Sequence, residues 1–558
     1  MSVFIGYPSF MAYQMMKGKK GNNDGFPSIP GTIARYSASG LTNEQMAANP
    51  VWVDKTGNGH DLQMKNFAWG GMSGVNGYVQ DFNDFRNNAT VDKIRIDEQG
   101  SNSIKVTILT TGIGNAIYIP KDIYQFNKSY FIKISSEGYD EGDMALSFYA
   151  PSTSTATTVT VSLNSNGVTE IPAIKEDDFL AVYIINVSGK VGSFTVEQLP
   201  LYPGALVFDG VDDYGACDNF PILTKEKGYT VVVLRQWDQD FLNTTLTGGL
   251  LSTRNYSTGE GVAFEKMESS NKGYWNLGAG GIIDFAKSPF TWQTSKQYNN
   301  VGILKGDKNH GKPLCVGCGL SGGQQCGRFA IWEFVFLDHD ATEEELNKIK
   351  DYFVKTYPWL FPDQAWTVVG KTNEDEDRAT IANITGNGND LVCLNLGFIE
   401  GSGYNEEGEY AGYLVTDGVD DKITSSTFEM GNDWTVIGDW ELINTGKNNN
   451  AGIVKFDSIV IYNYNPILIN IKNGRNNLIP DQNTVNAICS DGRIYSKDWK
   501  ESIYNEETES TSKNLLTIGY SGNSYTKIAF KNLAIYPTVL SKEDCIKAYN
   551  YLQTLKAK

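Results

Sequence analysis

At 558 residues the chain is too long for one hydrophobic core, and ~100–200 residues per domain points to three or four. Its 65 acidic against 47 basic residues leave a net charge of −18, which repels phosphate backbones and anionic lipid and excludes nucleic acid as a partner. No apolar run approaches the ~20 residues a helix needs to cross a bilayer, so membrane insertion is not expected.

Aromatics at 12 %, with 57 glycines against 17 prolines, suit twisted strands and tight turns; a mostly β fold with little helix is expected. The chain opens on MSVFIGYPSFMAYQMMKGKK, whose basic cluster follows the apolar residues, the reverse of a secretory signal. Val3, Phe4, Ile5, Phe10, Met11, Met15 and Met16 form a short apolar peptide, and the Gly-Asn-Asp-Gly run at Gly21 to Gly25 reads as a flexible connector. Residues 1–30 are therefore expected to anchor the chain to a partner. Seven cysteines, unevenly spaced, point to a reduced cytosolic birthplace and free thiols.

An internal duplication organises the rest. GLTNEQMAANPVWVDKTGNGHDL, Gly40 to Leu62, matches GKTNEDEDRATIANITGNGNDL, Gly370 to Leu391; ALVFDGVDD, Ala205 to Asp213, matches YLVTDGVDD, Tyr413 to Asp421. A third pair, RFAIWEFVFLDHDATEEEL, Arg328 to Leu346, and KIAFKNLAIYPTVLSKEDC, Lys527 to Cys545, aligns without a gap. In TGNG, Gly57 and Gly59 permit a tight turn at positive φ. LVFDGVDD reads as a strand with Leu206 and Phe208 on one face, and FAIWEFVFL as a central strand. Thr342 with Glu345 makes a capping box ahead of Leu346, Ile349 and Phe353 at helical spacing; Ser541 and Asp544 repeat it ahead of Cys545, Ala548 and Leu552.

Between TGNG and DGVDD the first copy carries roughly 110 to 120 extra residues, a domain-sized insertion. Segments KIRID, SIKVTILTT, NAIYIP, SYFIKISS, MALSFYA, TTVTVSL, FLAVYIINV and SFTVEQL between Lys93 and Leu199 alternate as short strands bounded by turn residues, the pattern of a second type of β-sandwich. The expected organisation is an anchor at 1–30, a first sandwich at 31–90 and 200–362, an inserted sandwich at 91–199, and a second copy at 363–558. The prolines in YPWLFPDQAW, Tyr357 to Trp366, mark the boundary between copies.

The three recurring motifs resemble the LamG-like members of the concanavalin A-like lectin and glucanase superfamily, at Asp54 to Asp61, Ala205 to Asp213 and Thr342 to Glu345, then Asn383 to Asp390, Tyr413 to Asp421 and Ser541 to Asp544. The second copy departs at Asn383 and Thr416. The resemblance implies two jelly-roll sandwiches. The whole arrangement, including ARYSASGLTNEQMAANPVWVDKTGNGHDLQMKNFAW, also resembles virion proteins of tailed phages of gut Bacteroidetes, the crAss-like group among them. That second resemblance implies a virion component, such as a head fibre, capsid decoration or tail appendage, assembled in the bacterial cytoplasm. Its partners would be other virion proteins held through the N-terminal segment, further copies of itself, and glycans. The alternatives are a bacterial cell-surface glycan-binding protein and, behind it, a glucanase or polysaccharide lyase.

Chemistry-bearing residues are few. Asp209, Asp212, Asp213 and Asp417, Asp420, Asp421, with Asp54, Asn58 and Asp61 near the first set, offer oxygens of the kind calcium takes, but such side chains ordinarily cap turns. Whether they hold a metal is left open, and no cofactor is assigned. His310, Cys315, Cys318 and Cys326 contain enough ligands for zinc, yet PLCVGC reads as a strand equivalent to LLTIG at Leu515 to Gly519 in a copy without cysteine there, so free thiols are preferred. Glucanases use paired carboxylates on one strand; the nearest acidic run, NEDEDR at Asn373 to Arg378, lies in a polar loop. His60, His310 and His339 are scattered at turns, and no catalytic residue is assigned. Trp69, Tyr78, Trp275, Trp292 and Tyr404 are the kind of side chain that stacks on sugars, though most aromatics in such sandwiches fill cores.

Overall fold

The computed structural model describes residues 24–557, with gaps of four or more residues at 150–158, 164–167, 172–175, 177–180, 267–271, 276–281, 285–300, 444–451, 463–466, 480–484 and 504–513 and isolated shorter ones. The chain is mostly β, with almost entirely antiparallel sheets. It divides into two compact units: Met1–Ser39, Ala48–Lys65 and Asp209–Lys558 in one, Gly40–Ala47 and Asn66–Phe208 in the other. No helix among the described residues is long and apolar enough to cross a membrane.

The larger unit holds the whole second copy and most of the first, of which Gly40–Ala47 and the segments within Asn66–Phe208 fall in the smaller unit. Strand Arg328–Leu337 has nine of its ten residues buried, as expected for a strand covered on both faces. Thr230–Trp237 pairs with it on one side and Thr32–Ser37 on the other, and Val301–Lys305 follows Thr230–Trp237. In the second copy Ile528–Tyr536 takes the central place, between Thr435–Leu442 on one side and Gln364–Thr367 with Leu414–Val415 on the other. Val485–Cys489 follows. Both copies break register at equivalent points, Leu234/Arg235 and Asp439/Trp440, so even the bulge is duplicated.

The facing sheets also correspond strand by strand. Val51–Trp52, Leu62–Lys65, Tyr214–Cys217, Leu314–Val316, Gly248–Ser252 and Ala263–Lys266 run in the same order as Thr380–Ile381, Leu391–Leu394, Lys422–Phe428, Asn514–Ile518, Gly452–Phe456 and Ile459–Tyr462. In the second copy one cluster joins the two sheets, with Leu391, Ile423, Leu516 and Ile518 packed against Val436, Phe530, Leu533 and Ile535. Rings span the gap in the first, where Trp52 lies 5.8 Å from Tyr36 and 5.3 Å from Phe334. Each copy is thus a two-sheet sandwich. Strand Leu206–Asp209 differs from expectation: Val207 is buried along with Leu206 and Phe208, so the strand shows no exposed face before Asp209.

Both terminal helices form. Glu343–Thr356 carries the full capping box of Thr342 and Glu345, and buries Ile349, Tyr352 and Phe353, while Leu346 is only half-buried. Lys542–Gln553 is capped by Ser541, which accepts from the Asp544 backbone N–H, and buries Cys545, Ala548 and Leu552. This second helix also meets the first sandwich: Tyr551 lies edge-on to Trp332 at 6.5 Å, Gln236 Nε2 donates to Thr554 Oγ1 at 2.9 Å, and Lys556 pairs with Asp240.

Residues 1–23 of the anchor expected at 1–30 lie outside the described residues. Asp24 and Phe26, at the end of the expected connector, are tied to the first sandwich. Arg35 bridges Asp24 at 2.9 Å and stacks over Phe26 at 4.1 Å, while its other nitrogens reach Glu333 and, at 2.7 Å, the Tyr352 hydroxyl. Glu333 is fully buried and accepts a further bond from Tyr357 at 3.0 Å.

The smaller unit is built on two five-stranded sheets that share one core, including Ile104, Val106, Ile132, Ile134, Leu146, Phe148, Val182 and Val196. All eight strand segments read from the sequence form, and Val168–Ile171 adds one that the sequence reading passed over. The core reaches back to Val79, Phe82 and Phe85, ahead of residue 91, and Arg86–Asn87 is an edge strand of one sheet.

Candidate functional site

The acidic turns take the same form in both copies. Asp209 Oδ1 accepts from the Val211 N–H at 2.7 Å, and Asp213 Oδ2 accepts from the Asp209 N–H at 3.0 Å. Asp417 and Asp421 repeat these bonds at 2.7 and 2.8 Å. Gly210 and Gly418 both sit at φ +78°, so DGVDD closes as a turn that only glycine enters without strain. The carboxylate groups of each set lie within 4.8 Å of one another, Asp212 and Asp420 exposed and Asp213 and Asp421 buried. Burial pushes the Asp421 carboxyl above its ordinary range, and the charges of Asp417 and Asp420 act in the same direction. One oxygen each of Asp209, Asp213, Asp417 and Asp421 is thus engaged in closing its own turn, while Asp421 Oδ1 is buried without a hydrogen-bond partner among the described residues.

Asp54 also serves its own turn. Its Oδ1 accepts from the N–H groups of Arg35 at 3.1 Å and Thr56 at 3.0 Å, and its own N–H donates to Asp61 at 2.9 Å. Asn383 takes the same role, accepting from Ala365 at 3.2 Å and Thr385 at 3.1 Å and donating to Asp390 at 2.8 Å. The amide needs no metal to do this, so the departure at Asn383 leaves the turn intact.

A fourth match between the copies, missed in the sequence reading, builds the neighbouring loop. Asn66, Trp69, Ser73, Gly74 and Asn76 correspond without a gap to Asn395, Phe398, Ser402, Gly403 and Asn405. Trp69 at φ +54° and Phe398 at φ +52° occupy the left-handed region, an uncommon conformation for a bulky residue. A buried or half-buried asparagine clamps each loop: Asn43 Oδ1 accepts from Val75 N–H at 2.7 Å, and Asn373 Oδ1 from Tyr404 N–H at 2.8 Å. These asparagines are the N of the recurring TN pair.

In the second copy this loop joins the acidic turn. Ser402 Oγ donates to Asp421 Oδ2 at 2.8 Å and Asn395 Nδ2 to the Asp420 carbonyl at 3.0 Å. In this loop Phe398 is half-buried, packed against the core cluster with its ring 6.2 Å from Tyr404 and the Arg378 guanidinium 5.3 Å from its centre; Ile399 in the same loop is 64 % exposed, and Val419 in the acidic turn 72 % exposed. The hydrogen-bonded loop and acidic turn thus each expose an apolar side chain, Ile399 and Val419.

The remaining candidates are structural. Cys318 and Cys326 form a disulfide across a hairpin, which corrects the expectation of free thiols and removes both from a zinc set. In the second copy Tyr520 and Tyr525 face each other at the equivalent hairpin, rings 4.8 Å apart, so a ring pair replaces the bridge. Cys315 packs beside the disulfide with its thiol pushed up by burial to about 12. His310 is buried, and desolvation holds its pKa down to about 4. His339 lies between Asp338 and Glu345 at 3.2 Å from each; burial opposes its charge, but these two acids prevail and raise its pKa. His60 contributes its backbone carbonyl to the Tyr36 hydroxyl.

In the NEDEDR run, Asp375 accepts from Thr372 N–H at 2.8 Å and Asp377 pairs with the buried Lys371 at 3.0 Å, so these carboxylates shape the loop. Tyr78 and Tyr404 are buried, with the Tyr404 hydroxyl donating to the Arg378 carbonyl at 2.7 Å. Trp69 is half-buried and stacked on Phe67 at 4.7 Å. The side chain of Trp275 and all of Trp292 lie outside the described residues.

The fold defines a mostly β protein of repeated two-sheet sandwiches. No family model matches the chain, and no curated protein matches it. Among solved structures it is similar to the botulinum neurotoxin serotype D binding domain, at 11% identity and TM-score 0.23 over 61% of this chain and 88% of that one. The receptor binding domain of the botulinum neurotoxin C/D mosaic serotype aligns at 9% and 0.24, covering 92% and 97%. Trypanosoma rangeli sialidase aligns at 7% and 0.25, covering 82% and 83%. Likenesses at such TM-scores carry no argument about what this chain does.

Proposed function

We propose that this chain is a non-enzymatic, lectin-like binding protein that takes glycans on the loop rims of its jelly-roll sandwiches and serves as a virion component of a tailed phage. The observation that carries the glycan reading is the rim of the second copy, where the loop of the half-buried Phe398 and exposed Ile399 is hydrogen-bonded to the acidic turn of Asp417, Val419 and Asp420. A sugar ring offers an apolar face that packs on such side chains and hydroxyls that donate to carboxylates. The virion reading rests on the motif resemblance alone. A non-enzymatic role is supported by the engagement of Asp375 and Asp377, in the acidic run NEDEDR, in contacts that shape their own loop. Saturation-transfer NMR with capsular oligosaccharides tests the rim, with transfer to sugar protons expected for the wild type and lost in Phe398→Ala. Mass spectrometry of purified particles tests the location, and absence of the chain from them would overturn that part.

A further inference from the structure

Five cysteines are free; Cys217, Cys315 and Cys393 are three of them, and the arrangement of the other two, Cys489 and Cys545, is different. Cys489 ends strand Val485–Cys489, and Cys545 lies in the first turn of the terminal helix Lys542–Gln553. Both are fully buried and their thiols are hydrogen-bonded to each other. The Thr435 hydroxyl lies 3.7 Å from Cys489 Sγ and also accepts from the Leu540 N–H at 2.9 Å, so strand, loop and helix meet at this point. The first copy puts Lys305 opposite Thr230 and Leu346 in the helix, so the pair is not a requirement of the fold.

We infer that Cys489 and Cys545 are a latent second disulfide site, which on oxidation staples the terminal helix to the sheet of the second sandwich. One further observation favours reaction here over the other free thiols. Burial pushes the thiols of Cys315 and Cys393 up to about 12 and that of Cys217 to about 11, whereas the hydrogen bond from Cys545 leads the effects that lower Cys489, with Thr435 and the Arg493 charge assisting. A thiolate is the attacking species in disulfide exchange. Both thiols are fully buried, so entry of the oxidant requires local opening of the helix from the sheet.

The oxidant is a low-molecular-weight disulfide. The Cys489 thiolate attacks one of its sulfurs, the sulfur–sulfur bond breaks, and a small thiolate leaves. Cys545, having given its proton to solvent, attacks the mixed disulfide at Cys489 and expels the second small thiolate. Two electrons pass from the protein to the reagent, which leaves as two thiols.

The test uses the full chain incubated with oxidised glutathione and then denatured. Titratable thiols are expected to fall from five to three, five less the two joined, with a Cys489–Cys545 cross-linked peptide in the digest. Cys545→Ser should instead retain glutathione on Cys489. Five thiols after prolonged oxidation, or cross-links that pair Cys489 or Cys545 only with other cysteines, would overturn the inference. Because the wild-type chain carries the decisive readout, a poorly folding variant does not blunt it.

Discussion

Replacing Arg35 by methionine strips the charge from a buried ion pair and leaves its partner in place. Arg35 is 4 % exposed and Glu333 0 %, so the carboxylate loses its counter-charge where water does not replace it. Breaking a buried pair by removing one partner costs about 3–5 kcal/mol. For a sandwich of this size that corresponds to a fall of about 10 °C in the first unfolding transition. The loss should depend on pH in a defined sense. Burial already raises the Glu333 carboxyl above its ordinary range, against the charge and hydrogen bond of Arg35 and the bond from Tyr357. Without Arg35 it rises further. Between the unfolded and folded pKa values the folded state binds more protons, so stability falls as pH increases through that interval. The deficit of Arg35→Met should therefore be largest near neutral pH and shrink on acidification toward the ordinary carboxylate value of ~4.3. Urea unfolding of wild type and variant across that range measures it, and Arg35→Met with Glu333→Gln should recover part of the loss. A deficit under about 1 kcal/mol at neutral pH, the scale of an exposed pair, or one that does not change with pH, would refute the reasoning.

Three further outcomes follow from particular contacts. Gly418→Ala should destabilise the second sandwich by about 1–3 kcal/mol, since a Cβ there meets the Lys527 backbone nitrogen at 2.9 Å at φ +78°; differential scanning calorimetry checks it. Residues 363–558 expressed alone should fold and unfold cooperatively by circular dichroism, because the core cluster from Trp366 to Ile535 is drawn from this copy only; an aggregating, molten fragment would show that the copies need each other. Chelation of calcium should leave the melting temperature unchanged, since Asp209, Asp213, Asp417 and Asp421 already accept from their own turns; a drop reversed by added calcium would show a bound ion.

The sequence carried the duplication because the repeated residues are those the backbone demands. Gly57 and Gly386 share a left-handed turn, and Thr342 and Ser541 share a cap, so identity survived where conformation depends on one residue type. The aromatic loop escaped notice because between its matching Asn, Ser and Gly positions the side chains diverge, Trp69 against Phe398 and Val75 against Tyr404; the spacing of Asn66, Ser73, Gly74 and Asn76 was the available signal. Cys318 and Cys326 were unreadable as a bridge for a related reason. Their counterparts Tyr520 and Tyr525 lie closer in sequence, so only the shared cross-strand position exposes the correspondence. The role of Asp421 depends on Ser402, a contact between two loops distant in the motif alignment, which no periodicity encodes.

The central claim is that the rim of the second sandwich binds glycans, and an array of bacterial capsular and mucosal glycans probed with the full chain tests it most directly. The account predicts discrete binding to a subset of glycans by the wild type, abolished by Phe398→Ala and weakened by Asp420→Asn, with thermal unfolding of Asp420→Asn unchanged and Phe398→Ala, which also loses packing against the core, still folded. Absence of binding across the array, or binding that both variants retain in full, would contradict it.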